Sequence, residues 1–483
     1  MYLGLDLGTS GLRGLLIDPE GAVVGSAEAA YPVSHPHSGW SEQDPQDWIN
    51  ACQNVLAKLS AAHPAAMADL RGIGLSGQMH GATLLDDTGA VLRPCMLWND
   101  TRSDEQAATL DATPGFRETT GNIVFPGFTA PKVQWVAEHE PETFARISKI
   151  LLTKDYVAYW LTGGFTSDMS DSAGTAWMDT GERAWAPDLL KHCNLELSQM
   201  PTLVEGGDIA GYLRGDLAET LNLPMGVPVA GGGGDNAAAA CGIGALRDGD
   251  GFVSLGTSGV LLAARNGFSP DAATAVHTFC HAIPDTWYQM GVILAATDSL
   301  NWLAANLQQD AASLAAALGD GIDGPSNVRF LPYLSGERTP HNDSKMRGAF
   351  VGLDIATDRA DLTRAVVEGV SFALRDNLDA LRATGANLET LLAIGGGSQS
   401  RYWVELLATV LGLPIALPAK GEFGAAMGAA RLALCAATGQ APRDIMTKPE
   451  IFEIIDPKPD LQPAYDAARD TFKSLYPALK GAS

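Results

Sequence analysis

The sequence has little of what marks exported or membrane-bound proteins. No apolar run in its 483 residues is long enough to span a membrane as a helix. The N-terminus has no basic segment followed by an apolar signal segment, and β-like residues begin at Tyr2. These absences lead us to expect a protein of the cytoplasm.

Positive charge is also scarce, with 32 Lys and Arg residues against 56 Asp and Glu residues and a net charge of −24. Such a balance disfavours binding to nucleic acid or to anionic membrane surfaces. It also means that overall charge does not attract an anionic substrate. We therefore expect a phosphate-bearing ligand to be bound by backbone N–H groups, by a few placed cations or by a divalent metal ion.

Cysteines are few and scattered. None of the six belongs to a C-x-x-C pair, which disfavours both a zinc site and a disulfide framework. The pattern favours free thiols in a reducing compartment, and we expect most of them to be small core residues. The six are Cys52, Cys95, Cys193, Cys241, Cys280 and Cys435.

Two well-known phosphate-binding motifs are missing, because the chain has no G-x-x-x-x-G-K-[ST] and no G-x-G-x-x-G after its first strand. Instead, the pentapeptide Leu-Gly-Thr-Ser-Gly occurs at 7–11 and again at 255–259. Each copy lies between two β-like runs, which is typical of a hairpin whose glycines let the backbone approach a ligand. One such turn is common, but the duplication predicts two equivalent halves that hold the phosphates of a nucleotide from both sides of a cleft.

The repeat divides the chain into two predicted domains, 1–245 and 246–483, joined by a short hinge near 240–250. Each half mixes β-like and helical segments. The predicted strands include 2–7, 12–17, 22–26, 73–76, 82–85, 228–230 and 391–394, and the predicted helices include 48–59, 129–138, 155–161, 297–306, 361–385 and 424–437. The last helix is rich in glycine and alanine, so we expect it to pack closely on a sheet.

Two carboxylates are candidates for catalysis, because each follows a strand beside a glycine-rich loop. Asp6 ends the first predicted strand, and Asp235 follows four glycines at the start of a predicted helix. An Asp at a helix start is commonly an N-cap, which is the structural alternative for Asp235. Together the two are suited to hold Mg²⁺, and one of them to accept a hydroxyl proton during phosphoryl transfer. Asp235 is the better candidate for the base, since the adjacent glycines leave space for a substrate.

Three sites have residues suited to a polyol. His80 follows a buried strand in the loop 77–81, and we expect it to donate a hydrogen bond to sugar hydroxyls, with a structural histidine as the alternative. Trp98 and Asp100 combine an aromatic surface with polar groups, unless Trp98 is a core residue followed by a turn. Asn236 directly follows the candidate base and is placed to orient a sugar hydroxyl.

Further polar segments leave alternatives open. The run Gly395-Gly396-Gly397-Ser398 follows an apolar strand and would let a flat adenine lie against the backbone, although it also suits a plain strand–helix turn. Arg338 is either a phosphate ligand or half of an exposed ion pair with Glu337. His35 and His37 resemble a metal-binding pair, but their surroundings favour an exposed loop.

Two longer patterns carry a family resemblance. The segment at 127–139 (GFTAPKVQWVAEH), and the segment that begins at 348 (GAFVGL) and continues to Glu368, are similar to the two signatures of the FGGY carbohydrate kinases, within the actin-like ATPase superfamily. The resemblance covers essentially the whole chain. It implies two ribonuclease-H-like α/β domains around a central cleft, with a sugar-binding domain at 1–245 and a nucleotide-binding domain at 246–483.

The resemblance also implies roles for individual residues. It implies ATP-dependent phosphorylation of a sugar in which Asp235 accepts the hydroxyl proton, while Asp6 and Asp235 hold Mg²⁺. The implied sugar-binding residues are Gln78, Met79, His80, Trp98, Asp100 and Asn236. The implied ATP-binding residues are Gly8, Thr9, Ser10, Gly256, Thr257, Trp302, Gly396, Gly397 and Ser398. Of these, Trp302 depends only on its position in a helix.

Within the family, the chain resembles the branch that phosphorylates D-xylulose on its 5-hydroxyl, and Met79-His80 stands where glycerol kinases have an Arg-Glu pair. Two alternatives stay open. One is a kinase of L-ribulose, L-xylulose or a related polyol, and the other is a sugar sensor or actin-like assembly protein with little turnover. The family also suggests a homodimer. The segments that carry the resemblance to this branch are 40–45, 77–81, 98–100, 232–237 and 335–341.

Overall fold

The computed structural model describes residues 1–419 and 424–481, which form two large β-sheets, one in each half of the chain, with helices packed around them. The strands of the first half are β1 (Tyr2–Leu7), β2 (Gly11–Ile17), β3 (Val23–Ala30), β4 (Glu42–Gln43), β5 (Gly72–Gly77), β6 (Thr83–Leu85), β7 (Cys95–Met96), β8 (Lys149–Leu151), β9 (Thr166–Asp168), β10 (Met178–Asp179), β11 (Ala184–Trp185), β12 (Thr202–Val204), β13 (Ile209–Tyr212), β14 (Pro228–Ala230) and β15 (Gly233–Gly234). Its helices are α1 (Pro45–Ala62), α2 (Pro64–Ala68), α3 (Asp104–Asp111), α4 (Phe116–Thr120), α5 (Thr129–His139), α6 (Pro141–Phe144), α7 (Thr153–Thr162), α8 (Met169–Ser172), α9 (Pro187–His192), α10 (Gly215–Leu221) and α11 (Asp235–Ile243).

The second half has fewer and longer elements. Its strands are β16 (Gly251–Leu255), β17 (Gly259–Arg265), β18 (His277–Cys280), β19 (Trp287–Ile293), β20 (Arg329–Leu331), β21 (Ala349–Val351), β22 (Leu391–Ile394), β23 (Ile415–Pro418) and β24 (Ile451–Ile455). Its helices are α12 (Thr297–Asn306), α13 (Ala311–Ala316), α14 (Arg359–Ala383), α15 (Arg401–Leu411), α16 (Ala425–Thr438), α17 (Pro442–Ile445) and α18 (Gln462–Leu479). Short 3₁₀ turns lie at Ala173–Thr175, Leu197–Gln199, Ala272–Thr274 and Gly396–Gln399.

The sheet of the first half is built around β1. This strand pairs antiparallel with β2, from Tyr2 opposite Ile17 to Leu7 opposite Leu12, and parallel with β5. The order across the sheet is β13-β14-β5-β1-β2-β3, and β15 also pairs with β5. The pentapeptide at 7–11 therefore forms the turn between β1 and β2, as the sequence predicts.

The sheet of the second half repeats this arrangement. Strand β16 pairs antiparallel with β17 and parallel with β22, and the order is β18-β19-β17-β16-β22-β23-β24. The second pentapeptide, at 255–259, thus takes the same place in its sheet as the first. The repeated sheet confirms the prediction of two equivalent α/β halves.

Helices α11 and α16, each of which follows the last parallel strands of its own half, pack against each other, and α16 also covers β1 and β5. Glycines make this close approach possible. A Cβ atom at Gly4 would lie 2.0 Å from the carbonyl oxygen of Ala426, and one at Gly74 would lie 1.9 Å from that of Ala429. The small residues of α16 therefore bring its backbone directly onto the sheet of the first half.

The crossing of α11 and α16 is equally close. A Cβ atom at Gly428 would lie 1.8 Å from the carbonyl oxygen of Ala238, and one at Gly242 would lie 2.3 Å from that of Gly424. Although α16 belongs to the second half of the sequence, it packs on the sheet of the first. The domain boundary at 245 stays a prediction, and it separates stretches of sequence rather than all packing units.

The cysteines are core residues, as expected. All six are buried and unpaired. Burial raises the pKa of the Cys52 thiol to about 12, so that it stays protonated at neutral pH.

No helix among residues 1–419 and 424–481 is both long and apolar enough to cross a membrane.

The contact between β5 and α16 can be tested with Gly74→Ala. The added methyl group would meet the Ala429 carbonyl oxygen at 1.9 Å, so strand or helix must shift. We expect the free energy of unfolding to fall by about 1–3 kcal/mol, the usual effect of overpacking a core. Thermal and urea unfolding measure this change. The matched control is Gly267→Ala, because a Cβ atom there would have nothing within 4 Å. Equal stability of the two variants would contradict the close packing.

Candidate active site

A small cavity lies between the two halves of the chain; the second hairpin lines it through Ser258, and the first hairpin is bonded to one of its wall residues, Trp98. The cavity has a volume of about 130 Å³ and is open on one side. Its walls come from both halves of the chain, as the two-sided cleft predicted from the repeat requires. The lining residues are Met79, His80, Trp98, Phe125, Gly127, Phe128, Asp235, Asn236, Ser258, Val260, Met290, Val292 and Arg338.

The first hairpin is held rigidly against this cavity. The N–H of Gly8 donates to the carbonyl oxygen of Gly11 at 2.9 Å, which closes the turn. Gln43 donates to the carbonyl oxygen of Thr9 at 2.6 Å, and the indole N–H of Trp98 donates to the Thr9 hydroxyl at 3.1 Å. The turn is thus bonded to a wall of the cavity, while Ser10 remains exposed.

The second hairpin is held through its carbonyl groups. The carbonyl oxygen of Gly256 accepts bonds from the N–H and the hydroxyl of Thr297 at 2.9 and 2.7 Å. That of Thr257 accepts from the N–H of Ala296 at 2.8 Å. With its carbonyls bonded to the start of α12, the turn directs Ser258 into the cavity and leaves Thr257 exposed. Phosphate binding by Gly8, Thr9, Ser10, Gly256 and Thr257 stays a prediction.

Asp6 lies on β1 and does not line this cavity; it lines a separate one together with Arg13, Leu15 and residues 424–427. Its Oδ1 atom is buried and has no hydrogen-bond partner among the described residues. Burial raises the pKa of Asp6, and the Ser76 hydroxyl and the charge of Arg13 act in the opposite direction. A carboxylate oxygen that lacks a protein donor in such a place is suited to a cation.

Asp235 is the first residue of α11, and the cap position belongs to Gly234. The N-cap alternative is therefore not what the structure has. Its Oδ1 atom accepts bonds from the backbone N–H and the side-chain amide of Asn236 at 2.7 and 2.9 Å. Burial, and next the nearby charge of Asp6, raise the pKa of Asp235 to about 7.

These two carboxylates fit Mg²⁺ better than they fit a metal held by protein alone. Among the described residues, no group of three or more His, Cys, Asp or Glu side chains is arranged to bind a metal ion. Mg²⁺ commonly takes only one or two carboxylates and completes its shell with water and substrate phosphates. Asp6 and Asp235, close enough for one charge to act on the other, match that pattern.

His80 lines the cavity, but its hydrogen-bonding role differs from the prediction. Its Nδ1 atom lies 2.7 Å from the carbonyl oxygen of Gly174, which only accepts, so Nδ1 carries the hydrogen. Burial, and next the charge of Lys132, lower the pKa of His80 to about 3, which keeps the ring neutral. The Nε2 atom therefore carries no hydrogen and can only accept a hydrogen bond, whereas a donor was predicted from the sequence; sugar binding by His80 stays a prediction.

The backbone at His80 explains part of the first family signature. His80 has φ 71°, in the left-handed region, and its carbonyl oxygen accepts bonds from Thr129 at 3.1 Å and from Lys132 at 2.9 Å. Both donors belong to the segment 127–139. Gly174 completes the support, because a Cβ atom there would lie 2.5 Å from the His80 ring. Sequence reasoning found the signature without seeing that it holds this loop.

Of the six predicted sugar-binding residues, the structure brings four to the cavity: Met79, His80, Trp98 and Asn236. It does not bring Gln78 or Asp100 there. The Gln78 amide donates to Gln43 at 2.9 Å, deep in the first half. Both oxygens of Asp100 are bonded to Arg102, and the residue is fully buried. Both side chains are already satisfied within the protein, so neither is available to a ligand.

A second, larger cavity of about 620 Å³ lies in the second half. Gly396 and Gly397 line it together with Thr297, the residue bonded to the second hairpin. Ser398 is half-buried and donates to the carbonyl oxygen of Gly395 at 2.7 Å. Trp302 is not among the described lining residues. The other lining residues are Leu300, Asn301, Asp310, Ala311, Ala312, Ala315, Ala316, Gly319, Asp320, Gln399, Ser400, Arg401 and Trp403.

Trp302 stacks instead on Phe330 and Phe350, with ring centroids 5.9 and 6.2 Å away. It sits on the same helix as Thr297, but the structure does not bring its ring to the cavity. Its predicted place beside adenine has no support in this geometry, because the ring faces other aromatic side chains.

Sequence reasoning also missed the apolar walls of the smaller cavity and the true place of Arg338. Gly127 and Phe128 line it and belong to the first signature, which was the signal for them. Arg338 lines the cavity too, and the expected ion pair with Glu337 does not form among the described residues. The polar run around Arg338 was noticed in the sequence, but the one side chain that it contacts specifically, Phe125, lies far away along the chain.

Comparisons with known proteins agree with this geometry. The models of the FGGY family of carbohydrate kinases match at residues 1–242 for the N-terminal domain and 251–437 for the C-terminal domain. A xylulose kinase of Escherichia coli (strain K12) is 44% identical over 99% of both chains.

Solved structures extend the likeness to the fold. A protein from Brucella ovis described as a "xyloylose kinase" has a TM-score of 0.98 and 57% identity, with all of both chains covered. The xylulose kinase of Rhodospirillum rubrum has a TM-score of 0.91 and 30% identity over 99% of both chains. The likeness therefore includes both halves and the cleft between them.

The predicted nucleoside contact can be tested with Gly396→Val. Gly396 is exposed, and a Cβ atom there would have nothing within 4 Å, so the fold should tolerate the change. The new side chain would project into the larger cavity and displace a nucleoside. We expect the affinity for ADP, measured by calorimetric titration, to fall about tenfold, equal to about 1.4 kcal/mol. Gly267→Val, at another open position, is the control. Unchanged ADP affinity with Gly396→Val would place the nucleoside elsewhere.

Proposed function

We propose that this chain, which belongs to the FGGY family of carbohydrate kinases, transfers a phosphoryl group from ATP to the 5-hydroxyl of D-xylulose. One observation of this structure supports the proposal independently of the names of the chain's relatives. The second hairpin joins the two cavities, since Ser258 lines the smaller one and Thr297, bonded to Gly256, lines the larger. A nucleotide in the larger cavity would thus present its phosphates to a sugar in the smaller one.

Asp235 is placed to accept the proton of the attacking hydroxyl. It faces the smaller cavity from the first turn of α11, and Asn236 holds one of its oxygens. Phosphoryl transfer has a loose transition state, so orientation and charge stabilisation contribute more than strong basicity. Asp235 therefore acts mainly by orienting the hydroxyl toward the phosphorus atom and taking up its proton.

The phosphates of ATP would be bound without cationic side chains from the two hairpins. The turns would offer the backbone N–H groups of residues 9–10 and 256–258 and the hydroxyl groups of Ser10, Thr257 and Ser258, since the Gly8 N–H and the Thr9 hydroxyl are already bonded within the protein. Asp6 and Asp235 would hold Mg²⁺, which in this family accompanies ATP. When bound, the ion supplies positive charge that offsets the charge of the phosphate oxygens. This division of roles between Asp6, Asp235 and the hairpins is part of the proposal.

The sugar would be held by a mixed surface. His80 offers the Nε2 acceptor, Asn236 offers an amide, and Trp98 offers the face of its indole ring, since its N–H is already bonded to Thr9. Phe125 and Phe128 cover the apolar side. Such a combination suits a small polyol, whose carbon chain is apolar and whose hydroxyls both donate and accept.

The substrate assignment is tested by ADP release with Mg²⁺ and ATP against D-xylulose, L-ribulose, L-xylulose, D-ribulose and glycerol. We expect D-xylulose to give the strongest stimulation. Preference for another ketopentose would keep the chemistry and change the sugar. Lack of stimulation by every sugar would overturn the kinase proposal in favour of a sensor or assembly protein. A homodimer and a cytoplasmic location remain predictions that this assay does not address.

The role of Asp235 is tested with Asp235→Ala. Loss of a general base typically lowers turnover about 10²- to 10⁴-fold, and we expect kcat to fall within that range. The affinity for ADP should change little, because the larger cavity is untouched. Asp188→Ala removes an exposed carboxylate that pairs with Lys191 and serves as the control. Near-normal kcat in Asp235→Ala would remove this residue from the base role.

A further inference from the structure

We propose that Arg338 binds the keto oxygen of the sugar and is the residue by which the cavity distinguishes a ketopentose from the corresponding pentitol. This inference rests on the proposed function and deepens it. It concerns the part of the substrate that does not react, at the opposite end of the carbon chain from the 5-hydroxyl.

The chain places Arg338 in the cavity wall by fixing its neighbour. Thr339 donates from its backbone N–H to the carbonyl oxygen of Val292 at 3.2 Å, and its hydroxyl accepts from the Val292 N–H at 3.2 Å. The same hydroxyl donates to the carbonyl oxygen of Ala275 at 3.0 Å. Because Val292 itself lines the cavity, this attachment to β19 brings Arg338 to the cavity as well.

The guanidinium group of Arg338 has no acceptor among the described residues. Among residues 1–419 and 424–481, it forms neither an ion pair nor a side-chain hydrogen bond. Its one specific contact is with the ring of Phe125, whose centroid lies 5.2 Å from the guanidinium carbon. A guanidinium carries five N–H donors, so its donors remain available to a ligand in the cavity.

The adjacent acid does not neutralise this charge. Glu337 turns back into its own loop, where it accepts the backbone N–H of His341 at 2.9 Å. Burial raises the pKa of Glu337 to about 8, so its carboxyl is largely protonated at neutral pH. The charge of Arg338 also contributes to the lowered pKa values of His80 and His277, which keeps both rings neutral beside it.

Arg338 and Asp235 are thus the two charged side chains among the described residues that line the cavity. No ion pair joins them within the described part of the chain, and they enter the cavity from different halves, Asp235 from the start of α11 and Arg338 from the loop attached to β19. We therefore assign them to different ends of the bound sugar. Asp235 binds the end that reacts, and Arg338 binds the end that does not.

The chemistry of the donor selects the group that it binds. A guanidinium only donates, so it is best satisfied by an oxygen that only accepts. A carbonyl oxygen meets that condition, whereas a hydroxyl also carries a hydrogen that needs an acceptor of its own. Since the nearby walls of the cavity are aromatic and apolar, an unmatched hydroxyl hydrogen at this place is costly.

The form of the substrate makes the keto group available. A 2-ketopentose closes into a five-membered ring through its own 5-hydroxyl, so that hydroxyl is free only in the open chain. The open chain is also the form with a free carbonyl group. A site that phosphorylates the 5-hydroxyl therefore always receives a sugar with a keto oxygen, and an Arg that binds this oxygen also favours the reactive form.

The test compares kcat/KM for D-xylulose with that for xylitol and D-arabinitol, the two pentitols formed by reducing its carbonyl group. We expect the wild-type protein to prefer the ketose. In Arg338→Met, which keeps the length and apolar stem, kcat/KM for D-xylulose should fall about 10- to 100-fold, mainly through KM. The values for the pentitols should change less than about threefold, so the preference disappears.

Several outcomes would overturn the proposal. A general structural defect would lower all three values equally, and an unaffected ketose would show that Arg338 does not touch it. Arg347→Met is the matched control, because Arg347 is an exposed residue of the same loop that bonds to the carbonyl oxygen of Ser344 at 2.8 Å. Wild-type protein that lacks any turnover with D-xylulose would instead refute the proposed function, and so the two failures are distinguishable.

A measurement on the unaltered protein guards against a variant that does not fold. A five-carbon aldonate offers two acceptor oxygens at the same end of the chain, so we expect it to compete with D-xylulose more strongly than either pentitol does. Arg338→Lys should keep part of this inhibition, since it retains the charge but not the planar fork. Inhibition by the pentitols that equals or exceeds that by the aldonate would contradict the assignment of Arg338.

Discussion

The candidate active site depends on two carboxyl groups that the fold holds near each other, away from bulk water. Asp6 and Asp235 come from the first sheet and from α11, and the charge of the one raises the pKa of the other. Repulsion of this kind is tolerated when a cation lies between the groups. In the proposed function, the pair would let a chain with a net charge of −24 bind a polyanionic nucleotide. A metal ion and neutral backbone donors would take the place of the positive surface that the chain lacks.

Much of the fold could be predicted from the sequence, because the features that define it are local and occur twice. Glycine-rich turns between β-like runs specify hairpins, and the second copy at 255–259 reveals that the halves are equivalent. The small residues of α16 predict close packing without naming the partner. That α16 covers β1 and β5 of the other half could not be read from the sequence, because this contact joins residues about as far apart as the chain allows.

The site was predicted less completely, for a different physical reason. Met79, His80, Trp98 and Asn236, four of the sugar-binding candidates, line one cavity, because each lies in a turn or helix start next to a sheet; their contact with a sugar stays a prediction. The chemistry of a side chain, however, is decided by distant partners. His80 can only accept at Nε2 because its hydrogen lies on Nδ1, where it forms a hydrogen bond to the carbonyl oxygen of Gly174, 94 positions further along the chain.

Asp100 and Arg338 show the same limit from opposite sides. Asp100 looked available but is satisfied by Arg102, which lies within its own turn. Arg338 looked like half of a surface ion pair, yet it reaches the cavity because Thr339 is bonded to Val292. Residue type and spacing identify which side chains are able to bind a ligand. Whether one of them is free to do so depends on whether neighbouring residues already form hydrogen bonds or ion pairs with it.

The crossing of α11 and α16 has a mechanical consequence. At Gly428 and Gly242 the two helices touch backbone to backbone, without long side chains that could repack as the helices move. Sliding of one helix along the other would bring these backbones into collision, so the glycines fix the register of the crossing. Because α11 begins at Asp235, the crossing also sets where this carboxyl group stands relative to the second half of the chain.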